Sequence, residues 1–173
     1  ANTPFVANVG TTGSKYSNKG YSIQSAQPIY VSVRLTAGNQ NQAGSLVSKG
    51  LAGLGTTFRV GTFTNQKNFS SNNQDYLNFV SVMATENNTQ LDFSDLATGT
   101  IIENDTPLSV ILNYGETYVI ALNPAVTPAN RDGLVGALVT SNKPIVVNCG
   151  SSNGSNSTGS GRDFGIDQIA PFE

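Results

Sequence analysis

The chain has 173 residues, a net charge of −2 and only 12% charged residues, about half the share typical of soluble domains. Its length fits one domain with its own hydrophobic core, so we expect a single domain over residues 1–173. Nine scattered basic residues argue against a nucleic-acid partner, which needs a dense basic surface, and no apolar run approaches the roughly 20 residues that insert into a membrane.

Apolar runs of strand length recur along the whole chain. Residues 29–35 alternate apolar and polar side chains, which is typical of a half-buried strand. Further apolar runs of strand length, alternating or continuous, cover residues 57–63, 76–85, 90–93, 100–102, 108–112, 117–122, 134–140, 145–148 and 166–169. Their spacing, with turn residues between them, predicts an all-β fold: a mostly antiparallel β-sandwich with long loops rich in Gly, Asn and Ser.

Turn residues predict how some of these strands connect. Asn87 and Asn88 tolerate positive φ and favour one hairpin, and Gly115 favours a second. The composition of residues 140–144, Thr-Ser-Asn-Lys-Pro, is typical of a turn between two strands. Residues 150–161 are almost all Gly, Ser and Asn, which predicts a surface loop.

A helix is arguable only in residues 41–55. Leucines and a valine fit one helical face there, but four glycines each cost about 1 kcal/mol relative to alanine in a helix. We therefore expect a compact loop with at most one helical turn, packed by its leucines.

The inventory of reactive side chains favours binding over catalysis. The chain has no histidine, which removes the commonest general base and leaves neither a Ser–His–Asp triad nor a zinc site. Cys149 is the single cysteine and ends an apolar run, so we expect it to be buried and slow to react. An exported protein without disulfides suits a bacterial surface.

Four oxygen-bearing side chains form the candidate site. Asn130 and Asp132 precede Gly133, and Asp163 and Asp167 flank another glycine. Calcium takes about six to eight oxygen ligands, so these four residues are a candidate calcium patch. The alternative is that the aspartates form turns and salt bridges, in which Arg34 and Arg59 of the strand runs are candidate partners of Asp163 or Asp167.

Asp163 and Asp167 allow a second chemistry. Two carboxyl groups at a set separation can serve as the acid and the nucleophile of a glycosidase. The chain has no tryptophan to form a sugar subsite, which argues against this chemistry. A glycan-acting hydrolase is therefore the alternative to a binding module and not the first interpretation.

Several segments, in the same order, resemble one family. Residues 140–147 read T-S-x-K-P-I-x-V and residues 163–169 read D-x-G-I-D-Q-I. Residues 19–23, 28–35, 42–61 and 76–89 extend the likeness, so that it covers roughly residues 19–170. This arrangement resembles the N-terminal domain of IgGFc-binding proteins, as it recurs in large surface proteins of gliding Bacteroidetes.

The resemblance implies a role and a location. Such relatives are similar to cell-surface adhesins that the type 9 secretion system exports. The implied function is a non-catalytic adhesion or structural module that binds extracellular glycan or protein surfaces weakly and multivalently. Its other partners would be neighbouring domains of a much larger parent chain, of which these residues are expected to be an excerpt. Fc binding by animal members has no residue that can be carried over to this sequence.

Overall fold

The computed structural model describes residues 12–37, 42–62, 65, 76–155 and 163–172. The described residues form strands joined by turns and three short 3-10 segments, Gly50–Gly53, Glu103–Asp105 and Pro128–Arg131, without an α-helix. The strands are β1 Ser32–Ala37, β2 Gln42–Val47, β3 Leu54–Arg59, β4 Asn78–Ala84, β5 Thr89–Ser94, β6 Ser109–Leu112, β7 Thr117–Leu122, β8 Leu138–Gly154 and β9 Asp163–Gln168. Every pairing is antiparallel, so the predicted fold class is confirmed.

The long strand β8 organises the main sheet. Its first half pairs with β5 on one side and its second half pairs with β4 on that same side. On the other side β3 comes first and β9 follows. Strands β6 and β7 extend the sheet beyond β5 and β4. Strand β8 pairs with strands of both halves of the sheet, and the sheet is curled and nearly closed, like a barrel.

Alternating side chains of this curled sheet fill its interior. Val80 and Val82 of β4 lie opposite residues of β7 and β8 that belong to the same buried cluster. The rest of that cluster includes Phe58, Leu91, Leu112, Tyr118, Ile120, Leu122, Val139, Ile145, Val147 and Cys149. The period of two therefore places one side of each strand in this core, as the sequence pattern predicts.

A second cluster lies on the opposite face of β4, β7 and β9. It contains Leu77, Phe79, Ala121, Phe164 and Ile166, and the Phe79 and Phe164 rings stack with centroids 6.2 Å apart. Leu35 of β1 and Leu46 of β2 pack against it. The β1–β2 hairpin is thus a second layer that covers the outside of the main sheet.

The predicted turn at residues 140–144 is wrong, because β8 runs through it without a break. Strand β5 pairs as far as Ser141 and β4 pairs from Ile145. On the other edge, the register with β3 shifts between Gly55 and Thr57. Pro144 lacks an N–H and lies in this irregular stretch, where a proline does not interrupt regular pairing.

Five other expectations need correction. The strands on either side of the two predicted hairpin turns do not pair with each other: β4 and β5 both pair with β8, and β6 and β7 pair with β5 and β4 respectively. Residues 42–47 of the expected compact loop form strand β2, and only Gly50–Gly53 makes a 3-10 turn. Residues 134–136 form a turn with Gly136 at φ +82°, so β8 begins at Leu138. Residues 150–154 of the expected loop continue β8, whereas residues 156–162 lie outside the described part of the chain.

Candidate functional site

Four large apolar side chains lie exposed at the open end of the β1–β2 hairpin. We call Ile29, Tyr30, Val47 and Leu51 the hairpin patch; Tyr30 is 75% exposed and Leu51 is 86% exposed. Ser32 is paired with Val47, and the next backbone hydrogen bond, 2.9 Å long, joins the Ser48 N–H to the Val31 carbonyl. The two chain segments that carry the patch therefore meet at this end of the hairpin.

The backbone beneath the patch is fixed to β9. The Lys49 N–H donates to the Gln168 side-chain oxygen over 2.6 Å, and the Lys49 ammonium lies 3.1 Å from an Asp167 carboxylate oxygen. Gly53 packs so closely on Gln168 that a Cβ there would lie 2.8 Å from the amide nitrogen. Contiguous apolar side chains that are exposed are typical of interaction surfaces, and here the backbone next to Val47 and Leu51 is fixed by these contacts.

Asp163 and Asp167 take part in structural contacts between β9 and the β2 region. One oxygen of Asp163 accepts the Ala43 N–H over 2.7 Å and the Phe164 N–H over 2.9 Å, while Asp167 pairs with Lys49. Both lie on β9, four residues apart, which is about 13 Å along a strand. Retaining and inverting glycosidases place their carboxyl groups only about 5 to 9.5 Å apart, so this spacing does not favour the hydrolase.

Asn130 and Asp132 lie in and after the Pro128–Arg131 turn. Asn130 is fully buried and its amide is used on both sides: the oxygen accepts the Ile101 N–H over 2.9 Å, and the nitrogen donates to the Ile101 and Asn123 carbonyls over 2.9 and 3.0 Å. Asp132 is exposed. Within the described residues, Asp132, Asp163 and Asp167 do not assemble into a group that could hold a metal. The calcium patch stays a prediction.

The structure also shows the partners of two further side chains for which the sequence made predictions. Arg59 was a candidate partner of Asp163 or Asp167, but it pairs instead with Asp95 at 2.5 Å and donates to the Gly136 carbonyl at 2.9 Å. Cys149 is buried as predicted; its thiol donates to the Gly61 carbonyl over 3.1 Å, and burial raises its pKa to about 11.

The sequence reasoning missed the hairpin patch. Ile29 was placed on the buried face of a strand and Leu51 among packed leucines, yet both are exposed. The available signal is Tyr30, whose largely apolar ring lies on the face that the alternation of residues 29–35 assigns to polar side chains. Gly50 is a second signal, because a glycine allows the left-handed conformation, here φ +56°, that turns the chain just before Leu51.

These features together define an all-β domain with an exposed apolar patch. The sequence model of the IgGFc binding protein family matches residues 43–173, most of the chain, so the chain belongs to that family. It is therefore a binding domain, of a family whose domains are typically extracellular. The match begins inside β2 and includes Val47 and Leu51.

Other comparisons add no relative. Neither a curated protein nor a solved structure matches the chain. The part of the chain that the structure describes contains no helix that is long and apolar enough to cross a membrane.

Proposed function

We propose that this domain is a non-catalytic binding module that holds an extracellular protein surface through the hairpin patch. The observation that carries the proposal is the exposure of Ile29, Tyr30, Val47 and Leu51 on a backbone tied to β9. Membership of a family of binding domains supports the same conclusion.

The chemistry of the patch suits a modest protein–protein contact. Tyrosine is enriched among the residues that dominate binding energy, because its ring is apolar and its hydroxyl can still make a hydrogen bond. Tyr30 would be such an anchor, with Leu51 beside it. Lys49 and Asp167, whose side chains are partly exposed, would form a polar rim. A single aromatic anchor predicts weak affinity for each module.

Weak modules suit a large parent protein. In this proposal the domain is one unit of a long exported adhesin on a bacterial surface, and neighbouring domains of that chain are its further partners. Linking many such units raises avidity, since each later contact forms at a high effective concentration. The neutral surface that 12% charged residues leave would also allow contacts with glycans, which are the second ligand class to test.

One experiment separates binding from turnover. The purified domain is passed over immobilised immunoglobulin Fc, the protein that the family name supplies as a first probe, and over a glycan array, while released products are followed. We expect retention on a protein ligand without any product. Release of sugars, lost in Asp163→Ala and Asp167→Ala variants, would support the hydrolase and contradict the proposal. Retention by glycans alone would replace the protein partner.

A further inference from the structure

A group of buried polar atoms lies apart from the hairpin patch. Among the buried side-chain atoms without a hydrogen-bond partner are Asn65 Nδ2, Asn78 Oδ1 and Ser151 Oγ. These residues are 0%, 1% and 2% exposed, respectively. An unpaired polar atom at such depth costs on the order of 1–3 kcal/mol, so three of them in one place are unusual for a folded protein.

Two of the three residues meet at the Arg131 carbonyl, and the third lies beside one of them in the sheet. That oxygen accepts the Asn65 N–H over 2.9 Å and the Asn78 Nδ2–H over 2.9 Å, so both asparagines meet there. Ser151 is the direct cross-strand partner of Asn78 in the β4–β8 pairing. Such partners have Cβ atoms about 5 Å apart on one face of the sheet. We call Asn65, Asn78 and Ser151 the polar cluster.

Rotating the amides would not pair the free atoms. The Asn78 nitrogen donates to two carbonyls, of Asn130 at 3.2 Å and of Arg131 at 2.9 Å, and an oxygen in its place would face both carbonyls. The Asn65 oxygen accepts the Ser155 N–H over 3.2 Å, and a nitrogen there would oppose that donor. The free atoms are therefore an amide donor at Asn65 and an amide acceptor at Asn78.

The mixture of donor and acceptor defines the ligand class. A cation would be repelled by the Asn65 N–H, and the three side chains supply no carboxylate to compensate its charge. An anion would be repelled by the Asn78 oxygen. A small neutral molecule that both donates and accepts satisfies all three atoms, and water is the molecule that buried polar groups commonly take, with about three hydrogen bonds each.

The backbone near Ser151 is irregular, since the pairing of β8 with β9 shifts between Ser151 and Gly154. A Cβ at Gly154 would lie 2.7 Å from Ser151 Oγ and 2.8 Å from Ser151 Cβ, so the glycine avoids a clash with the hydroxyl. We propose that the polar cluster is a binding site for an internal water that bridges Asn65 Nδ2, Asn78 Oδ1 and Ser151 Oγ. This water would join β4 and β8 to Asn65, which lies between β3 and β4 in the chain, and it is independent of the function proposed for the hairpin patch.

The test combines a variant with a direct observation. Ser151→Ala removes one partner of the water without touching the contacts on the Arg131 carbonyl. If the hydroxyl binds water, the folding equilibrium constant should fall about fivefold, as for the loss of one hydrogen bond. If the hydroxyl has no partner, its removal should leave the constant unchanged or raise it, and this result would overturn the proposal. Ser94→Ala, at an exposed position of β5, is the matched control and should change nothing.

A crystal structure of the full chain at a resolution that shows ordered water gives the second readout. We expect one water within about 2.7–3.2 Å of the three named atoms. A protein side chain that occupies this position, or three atoms that are bonded to other protein groups, would contradict the proposal even if Ser151→Ala is destabilising.

Discussion

Gly150 is the residue whose substitution by alanine the fold should tolerate least. It lies in β8 opposite Ile166 of β9, where the two backbones approach closely. A Cβ at Gly150 would fall inside van der Waals contact of the Gly165 carbonyl oxygen, 2.8 Å from its carbonyl carbon and 2.9 Å from Ile166 Cα. All three are backbone atoms of a paired strand, so none can move aside as a flexible side chain would. Relief requires β9 to shift away from β8.

The magnitude follows from the cost of overpacking. Forcing one extra carbon into a packed site costs about 1–3 kcal/mol, and we expect the upper end because the obstacle is backbone. For a chain of this size each kcal/mol lowers the melting temperature by about 2–4 °C, so Gly150→Ala should melt about 6–12 °C below the parent. Thermal and urea unfolding followed by circular dichroism measure both quantities.

A matched control is available in Gly61. A Cβ there would meet no atom within 4 Å, and its φ is not positive. Gly61→Ala should therefore stay within about 0.5 kcal/mol of the parent. Equal stability of the Gly150→Ala variant and the parent would refute the close approach of β8 and β9.

Three further predictions concern the core, the surface and the candidate metal. Burial raises the pKa of Cys149 from 9.0 to about 11, so on raising the pH the thiol of the unfolded chain ionises before that of the folded chain. The contribution of this thiol to the free energy of unfolding is therefore present below pH 9.0 and declines toward pH 11. Cys149→Ala should lack this part of the decline in stability, and the native thiol should react slowly with a thiol reagent. Phe79→Ala should cost about 3–5 kcal/mol in urea unfolding, whereas Asp167→Asn, in an exposed pair with Lys49, should cost less than about 1 kcal/mol. If Asn130, Asp132, Asp163 and Asp167 bind calcium, the melting temperature should rise with calcium, fall with a chelator and lose this response in Asp163→Ala; an unchanged parent would remove the metal.

The parts of the fold that the sequence predicts best are those set by local chemistry. Strand β7 lies at residues 117–122 as predicted, because it is a short apolar run of strand length and Gly115, at φ +76°, allows the turn before it. Burial of Cys149 also follows from the apolar run that it ends. In both cases the immediate neighbours in the chain determine the outcome.

Residues 140–144 and the hairpin patch depend on partners that are distant in the chain. The run from Thr140 to Pro144 has the composition of a turn. It stays extended because β8 pairs with β5 and β3 up to the start of this run and with β4 and β3 again from Ile145. Ile29 fits the pattern of a buried strand residue, but β2 ends at Val47, so among the described strands none pairs with Ile29, which is exposed. Neither outcome can be read from local composition, since each is decided by where another strand begins or ends.

The candidate site shows the same limit. Asp163 and Asp167 were predicted from their density of oxygen atoms and nearby glycine, but their contacts are with Ala43 and Lys49, about 120 residues earlier in the chain. The sequence identifies residues able to accept hydrogen bonds or charges. It does not tell which partner uses them.

The affinity of a hairpin-patch variant tests the central claim most directly. The double variant Tyr30→Ser, Leu51→Ser is compared with Tyr114→Ser, which changes another exposed tyrosine, 60% exposed, at the β6–β7 turn. Each is measured for steady-state binding to the protein ligand that retains the parent domain. We predict at least a tenfold loss of affinity for the double variant, as expected for an anchor residue, with unchanged binding by the Tyr114→Ser variant. Full binding by the double variant, or an equal loss in both, would contradict the assignment of binding to the hairpin patch.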